Sequence, residues 1–371
     1  MLDYSSALQE NFGHEVTMFC DLAGDDAVAQ LKKNRMELRQ MDTVSTNSPA
    51  YWLTLASRLR RKREALEKEV SGYDLIINSM FPMNVLVEDF RKPRLQMCYE
   101  PFAFFYDPGF LRNFTLPQQC FFRLAKLVYS SSDIRATRKM DTVLTVNKTN
   151  IPKIEEVYGI TPRVVYAGID TKVYARASEA EIAAVRERHP GSPLLFHSTD
   201  LTGIKGTFPL LSVVKGLCND FPNLKLLVTV YVNNPSGVKM LQDAILENGL
   251  SGNVEYLGCL DKGELPRYYS AVDFVCQPSV NQPANWPLKE ALLCRTPIIG
   301  GKQSEEAIDF VNGISIDVND RLGSVEKMGQ LFNKRHELNI DTTELVANYS
   351  KDNCMAGFNA IIRQTYENYR H

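Results

Sequence analysis

The residues best equipped for chemistry lie in the stretch 278–299, PSVNQPANWPLKEALLCRTPII, where Gln282 and Glu290 are separated by seven residues. The stretch reads as a strand end, a loop, and a helix opening near Pro287. Gln282 then sits in the loop and Glu290 about one turn into the helix, and both could face one ligand. A parallel-sheet protein binds ligands at such a strand-to-helix turn, at the carboxyl end of the sheet. The backbone N–H groups of a helix start favour an anion such as a phosphate. The competing reading is a surface loop carrying a solvated carboxylate.

The elements that must position this stretch are short apolar runs alternating with helical patterns. Residues 272–276 (VDFVC) precede the loop as a buried strand, and 296–299 (TPII) follow the helix as the next one. Upstream, a strand begins at 194–197 and a glycine-bearing loop spans 198–206. A helix over 207–218, a strand over 224–232, a helix over 238–248, a strand over 254–257 and a helix over 265–271 follow. In the first half, strands are expected at 16–20, 73–78, 94–100 and 141–147. Such alternation in both halves of 371 residues argues two doubly wound α/β domains facing across a cleft.

The net charge of −2 implies no bulk attraction to nucleic acid. The eight cysteines are scattered without a CxxC pair, which points to free thiols in a reducing compartment rather than disulfides or zinc. The five histidines show no metal-ligand spacing. No apolar run approaches a membrane span, and no signal peptide is visible. A cytoplasmic protein is expected, with peripheral attachment to the inner face of the membrane as a further expectation. That attachment would use the basic middle of a helix over 51–70 (Arg58, Arg60, Arg61, Lys62, Arg63), which otherwise reads as a solvated, ion-paired face. Residues 1–165 carry 22 basic and 20 acidic residues, against 20 and 24 in the remainder, which makes the first domain the basic side.

The chain opens directly on a helix, over 1–11, where α/β domains usually begin with a strand and a glycine loop. The first strand is expected to be missing, through an N-terminal truncation or a mis-assigned start rather than as a genuine minimal domain. Glu100 follows the strand over 94–100 at the functional edge. The aromatics after it (Phe102, Phe104, Phe105, Tyr106) would either wall an acceptor pocket or fill a core.

These motifs, in this order, resemble the family-4 retaining glycosyltransferases, which have the two-Rossmann GT-B fold. The segments carrying the resemblance are 12–16 (FGHEV), 73–76 (YDLI), 165–170 (VYAGID), Lys205-Gly206 ("KG"), 253–258 (NVEYLG), Gln282 to Glu290 at the E-x7-E positions, and 312–314 (NGI). The resemblance implies an acceptor-side domain over 1–165, a nucleotide-sugar-binding domain over 166–350 and a C-terminal helix over 351–371 crossing back to the first domain. It implies transfer of a hexose from a GDP- or UDP-linked donor to a glycan or lipid-linked acceptor, in surface polysaccharide synthesis, with no metal and no cofactor.

The leaving diphosphate gains negative charge in the transition state and needs fixed cations and N–H donors. The resemblance gives that role to Lys205 and gives Glu290 the ribose diol. With Gln282 and Glu100 these form the catalytic set. Ser198, Thr199, Gly206, Leu260, Ser279, Asn281, Asn285 and Trp286 are the donor-binding set. Tyr99 and Phe102 lie on the acceptor side. Several positions depart from the family pattern. The first Glu of E-x7-E is Gln282, and an amide cannot stabilise positive charge as a carboxylate does. The loop glycine is Asn285, and Pro287 has no N–H to offer. The arginine before "KG" is replaced by the region His197–Asp200. The "cGxP" glycine is Arg295, which could supply charge from a new place. These departures leave one other reading open, a pseudoenzyme that binds nucleotide-sugar and partners an active transferase. A phosphorylase would need a phosphate or pyridoxal-phosphate site, and no lysine motif for one is seen.

Overall fold

The computed structural model describes residues 2–20, 28–29, 31–32, 34–40, 49–112, 114–280 and 285–370. The chain forms two compact units. One comprises Met1–Gly168 with Asp352–His371, the other Ile169–Lys351.

In the first unit, β1 (Thr17–Cys20) and β2 (Glu37–Gln40) pair in parallel as a two-stranded sheet. A second sheet holds β3 (Ile76–Asn78), β4 (Arg94–Met97), β5 (Thr142–Thr145) and β6 (Arg163–Val164), all parallel and in chain order. The unit thus has two sheets where one was expected, and among the described residues no strand joins them. Strand β4 ends at Met97 rather than at Glu100. Leu95, Met97 and Leu144 are fully buried on one face, against Tyr4 and Leu8 of the helix Leu2–Phe12. The helix Lys351–Arg370 covers the same face with Met355, Phe358 and Ile362, whose i, i+3, i+7 spacing makes one apolar stripe.

The second unit is a six-stranded parallel sheet in the order β12-β11-β10-β7-β8-β9. Its strands are β7 (Leu194–Thr199), β8 (Lys225–Val230), β9 (Val254–Tyr256), β10 (Phe274–Gln277), β11 (Ile298–Gly301) and β12 (Gly313–Ile316). Every residue of β7 is buried, as a strand covered on both faces requires. The period of two decides the layers. Leu195 packs toward the helices Thr207–Leu217 and Arg321–Asn333. Leu194 and Phe196 pack toward the helices Glu179–Arg188, Leu265–Ala271 and Trp286–Leu293.

The chain winds outward from β7 through β8 to β9, then returns to lay β10 on the other side of β7. The junction of β7 and β10 is therefore the topological switch point, and the crevice outside their carboxyl ends is where such a sheet accepts ligands. The segments singled out from the sequence, 198–206 and 278–290, follow these two strands.

Candidate active site

Two glycines let the backbones at the switch point approach. Gly206 has φ +69°, and a Cβ there would lie 2.6 Å from Pro278 O. A Cβ on Gly301 would lie 2.0 Å from Ser279 O. Side chains at either place would push the loop after β10 outward. Instead Val280 N–H donates to Ile204 O at 2.7 Å, and the loop that carries Lys205 is joined to the loop that leads to Glu290.

Lys205 ends a short 3-10 turn, Gly203–Lys205, immediately before the helix Thr207–Leu217. It is half-buried, and burial lowers its pKa, an effect that the carboxylate of Asp200 partly offsets. Burial works against the charge of Asp200 as well. Bonds from the Thr202 hydroxyl (2.7 Å), the Thr202 N–H (2.9 Å) and the Tyr231 hydroxyl (3.2 Å), with the Lys205 charge, hold its pKa below the usual value. A partly desolvated ammonium beside a helix start is suited to an arriving phosphate, which would restore the favourable surroundings that burial removes.

Behind Lys205 a hydrogen-bonded chain fixes the loop. His197 and Thr199 are fully buried. His197 Nδ1 lies 2.8 Å from Cys276 O and must donate to it, because a carbonyl only accepts. Nε2 then accepts from the Thr207 hydroxyl at 2.9 Å, Thr207 accepts from Thr199 at 2.7 Å, and Thr199 accepts from Leu201 N–H at 2.9 Å. Burial pushes the His197 pKa down to about 4, with the bond to Cys276 O acting in the opposite direction. The imidazole is neutral, so it does not replace the cation missing from this region. The Thr199 hydroxyl is committed within this chain and positions the loop. Ser198 is buried beside it.

The loop after β10 is held by a second set of contacts. Asn285 Nδ2 donates to Ser279 Oγ at 3.0 Å, and Asn285 N–H donates to Glu306 Oε1 at 3.1 Å. Glu306 also takes the Ser304 hydroxyl at 2.7 Å and forms an ion pair with Lys289. Both side chains of that pair are almost fully buried, at 4% and 3% exposure, which marks it as a structural anchor. Lys289 Nζ lies over the rings of Trp286 (5.5 Å) and Tyr349 (4.8 Å). Asn285 has φ −133°, ordinary extended backbone, so the residue standing where a glycine was expected is unstrained. Gln282 and Asn281 lie outside the described residues.

Glu290 accepts from the Tyr269 hydroxyl at 3.0 Å. Burial raises its pKa, while hydrogen bonds from Tyr269 and Tyr174, and the charge of Lys262, act to lower it. Leu260 follows β9 at the same edge of the sheet, its N–H donating to Thr229 Oγ1 at 3.3 Å, and it packs on the cluster that includes Tyr269 and Leu288. Trp286 opens the helix with 38% exposure. The second unit thus brings Lys205, Gly206, Ser279 and Asn285 together, with Glu290, Leu260 and Trp286 on the same carboxyl edge. Arg295 is elsewhere: it precedes β11 at the opposite end of the sheet and donates to Ile340 O at 2.6 Å. The charge it was considered to supply to this site is not there.

Sequence reasoning missed Lys289 and Glu306. Lys289 stood beside Glu290 with no partner in view, and Glu306 lies 17 residues further on in a segment without a spacing signal.

In the first unit, Glu100 follows β4 and is exposed; partial desolvation raises its pKa, with Lys153 opposing and Asp107 adding to this, and solvent screens these effects. Tyr99 O accepts from Thr145 Oγ1 at 3.3 Å and from Asn150 Nδ2, which ties the end of β4 to the end of β5. Phe102 packs on Phe105 (ring centroids 4.9 Å), Phe81 (5.3 Å) and Trp52 (6.1 Å). Most of its surface therefore belongs to an aromatic core.

Residues 178–348 match the sequence model of the family described as glycosyl transferases group 1. A D-inositol 3-phosphate glycosyltransferase of Corynebacterium urealyticum is 27% identical over 208 residues, covering 52% of this chain and 48% of that protein. The chain thus spans about half the length of that curated relative. Among solved structures, a glycosyltransferase from Rickettsia africae superposes with a TM-score of 0.73 at 15% identity, over 99% of this chain and 94% of the other. HepE of Anabaena, solved with UDP-glucose, gives 0.72 at 16% identity over 98% and 94%. A sucrose-phosphate synthase from Thermosynechococcus elongatus gives 0.73 at 15% over 98% and 92%. At these identities the likeness is one of fold, and the fold is α/β of the GT-B type. The family match lies within the second unit, over 171 of the 371 residues.

Proposed function

We propose that the protein is a retaining, metal-independent hexosyltransferase. It takes a nucleotide-activated sugar on the second unit and passes the sugar to a glycan or lipid-linked acceptor bound by the first. The observation that carries this reading is the Val280 N–H bond to Ile204 O. It joins the turn that carries Lys205 to the segment that leaves β10, beside a helix start at the switch point. Lys205 and the N–H groups of the helix Thr207–Leu217 receive the diphosphate, whose charge grows as the glycosidic bond breaks. Glu290, held by Tyr269, accepts the ribose hydroxyls. UDP and UDP-glucose are bound by a protein of the same fold, which makes UDP-linked sugars the first donors to try.

Calorimetric titration with UDP-, GDP- and ADP-linked sugars, beside Glu290→Ala, tests the reading. Binding of one nucleotide class that is lost in Glu290→Ala supports it. A folded protein that binds none of them would remove it. Binding without turnover would favour the pseudoenzyme, which the amide of Gln282 already suits.

The acceptor side is read as touching a membrane surface. Among the described residues no helix is long and apolar enough to cross a membrane. The helix Leu116–Arg138 exposes Leu116, Leu124, Leu127 and Val128, and Leu53 is exposed on the helix Pro49–Glu69. Trp52 and Phe122 join these two helices by a ring contact of 6.0 Å. Exposed Arg60, Arg61, Arg123 and Lys126 supply positive charge. Arg63, by contrast, is committed to Asp89 at 2.7 Å and Val85 O at 2.6 Å. Apolar side chains flanked by cations suit an anionic lipid interface.

A further inference from the structure

A cavity of about 550 Å³ opens at the amino ends of β10 and β11, the end of the second unit's sheet opposite to Lys205. Arg176, Arg186, Arg295 and Arg335 line it, with His336 beside them. Only two carboxylates share the lining, Glu179 and Asp273. Glu179 takes Arg176 at 3.0 Å. Asp273 is already filled: it accepts Leu194 N–H at 2.7 Å and Arg186 at 3.0 Å, with Arg335 at 3.8 Å. Four guanidinium groups against two lining carboxylates leave an excess of positive charge around one concavity, which Asp341, an anionic neighbour of Arg295, offsets in part.

Arg295 adds an independent observation. It follows the helix Trp286–Leu293 with φ +63°, the left-handed conformation that closes helices and that glycine adopts without strain. Its N–H returns to Leu292 O at 2.9 Å, and the next N–H, of Thr296, returns to Ala291 O at 3.0 Å. An arginine is kept where the backbone asks for glycine. Its Nη1, donated to Ile340 O at 2.6 Å, fixes the guanidinium in place at the cavity. A strained residue beside a cluster of like charges points to a function for the cluster.

We propose that this cavity binds a phosphate monoester, at a site separate from the donor site. Planar guanidinium forks match the oxygens of a phosphate, and an anion meets the excess of positive charge. The volume lies within the range of small-molecule sites and admits a sugar-sized body behind the phosphate.

Titration calorimetry with inorganic phosphate tests the proposal in the Lys205→Ala protein, where phosphate capture at the donor edge is weakened. The expected result is one bound phosphate, with affinity reduced about tenfold or more by Arg295→Gly and by Arg335→Gln, as loss of a charge-assisted bond predicts. Arg295→Gly suits the local backbone and keeps the fold, which is verified by an unchanged far-UV spectrum. Absence of phosphate binding in Lys205→Ala, or affinity unmoved by both arginine substitutions, overturns the proposal.

Discussion

The Thr207 hydroxyl lies 2.9 Å from His197 Nε2 and 2.7 Å from Thr199 Oγ1, and so joins β7, the lysine loop and the following helix through one atom. Thr207→Val keeps the shape and removes the atom. It leaves the His197 ring nitrogen without a donor and the Thr199 hydroxyl proton without its acceptor, at about 1–3 kcal/mol for each group, although Thr199 still accepts from Leu201 N–H. We expect a loss of about 2–4 kcal/mol in urea unfolding, while Thr207→Ser stays within about 1 kcal/mol. Equal stability of the valine and serine variants would mean that the chain of hydrogen bonds contributes nothing.

The same contact sets a pH dependence. His197 takes up a proton in the fold only near pH 4, whereas the unfolded side chain does so near its ordinary 6.5. Between these values the unfolded state binds more protons, so stability is complete above about 6.5 and falls as pH falls toward 4. The loss from this one group is about 3 kcal/mol. His197→Asn should be less stable at neutral pH and should show a shallower decline over that window. Parallel stability–pH curves for the two proteins would exclude this role for His197.

Much of this was legible in the sequence, for identifiable reasons. Fully buried parallel strands such as 194–199 and 274–277 appear as apolar runs, and the Lys205-Gly206 pair marks the loop after the first of them. Residues that act at a distance were not legible. The sequence set His197 in place of an expected arginine and offered no sign that its ring is spent on Cys276 O, 79 residues away. Glu306 anchors Asn285 across 21 residues, a contact that no local period encodes. Arg295 was considered as a charge for the site because of its position in the motif. The four-residue strand Ile298–Gly301 carries the chain from Arg295 to the opposite edge of the sheet.

The buried pair of Lys289 and Glu306 gives a third prediction. Removing one partner strands the other charge in the interior, at about 3–5 kcal/mol, whereas replacing both with apolar groups is close to neutral. Lys289→Met and Glu306→Leu should each destabilise by that amount. The double variant should recover part of the loss, although Asn285 N–H and Ser304 Oγ then lack their acceptor. Additive losses in the double variant would show that the two charges do not depend on each other.

For the membrane face, Leu124→Ser with Leu127→Ser removes two exposed leucines without touching the core. A buried leucine contributes about 1.5–3 kcal/mol, and partial insertion about half of that. Cosedimentation with phosphatidylglycerol vesicles should weaken about tenfold or more, and neutralising Arg123 and Lys126 should weaken it further at low salt than at high salt. Unchanged sedimentation of both variants would remove the membrane from the proposed function.

Lys205 yields the sharpest test of the chemistry. Lys205 is half-buried in a short loop turn, so Lys205→Ala should keep the fold, which an unchanged far-UV spectrum checks. If the ammonium meets the departing diphosphate, its loss lowers kcat by about 100- to 1,000-fold, as loss of a transition-state donor does elsewhere. KM for the donor should change less, because the charge it stabilises grows only as the bond breaks. Burial lowers the pKa of Lys205, so activity should fall with rising pH before the ordinary lysine value of 10.5 is reached. Lys205→Arg remains charged throughout that range. It should keep part of the rate and lose the alkaline decline. An alkaline limb that survives unchanged in Lys205→Arg would assign the titration to another group, and a full rate in Lys205→Ala would place the cation of this site elsewhere.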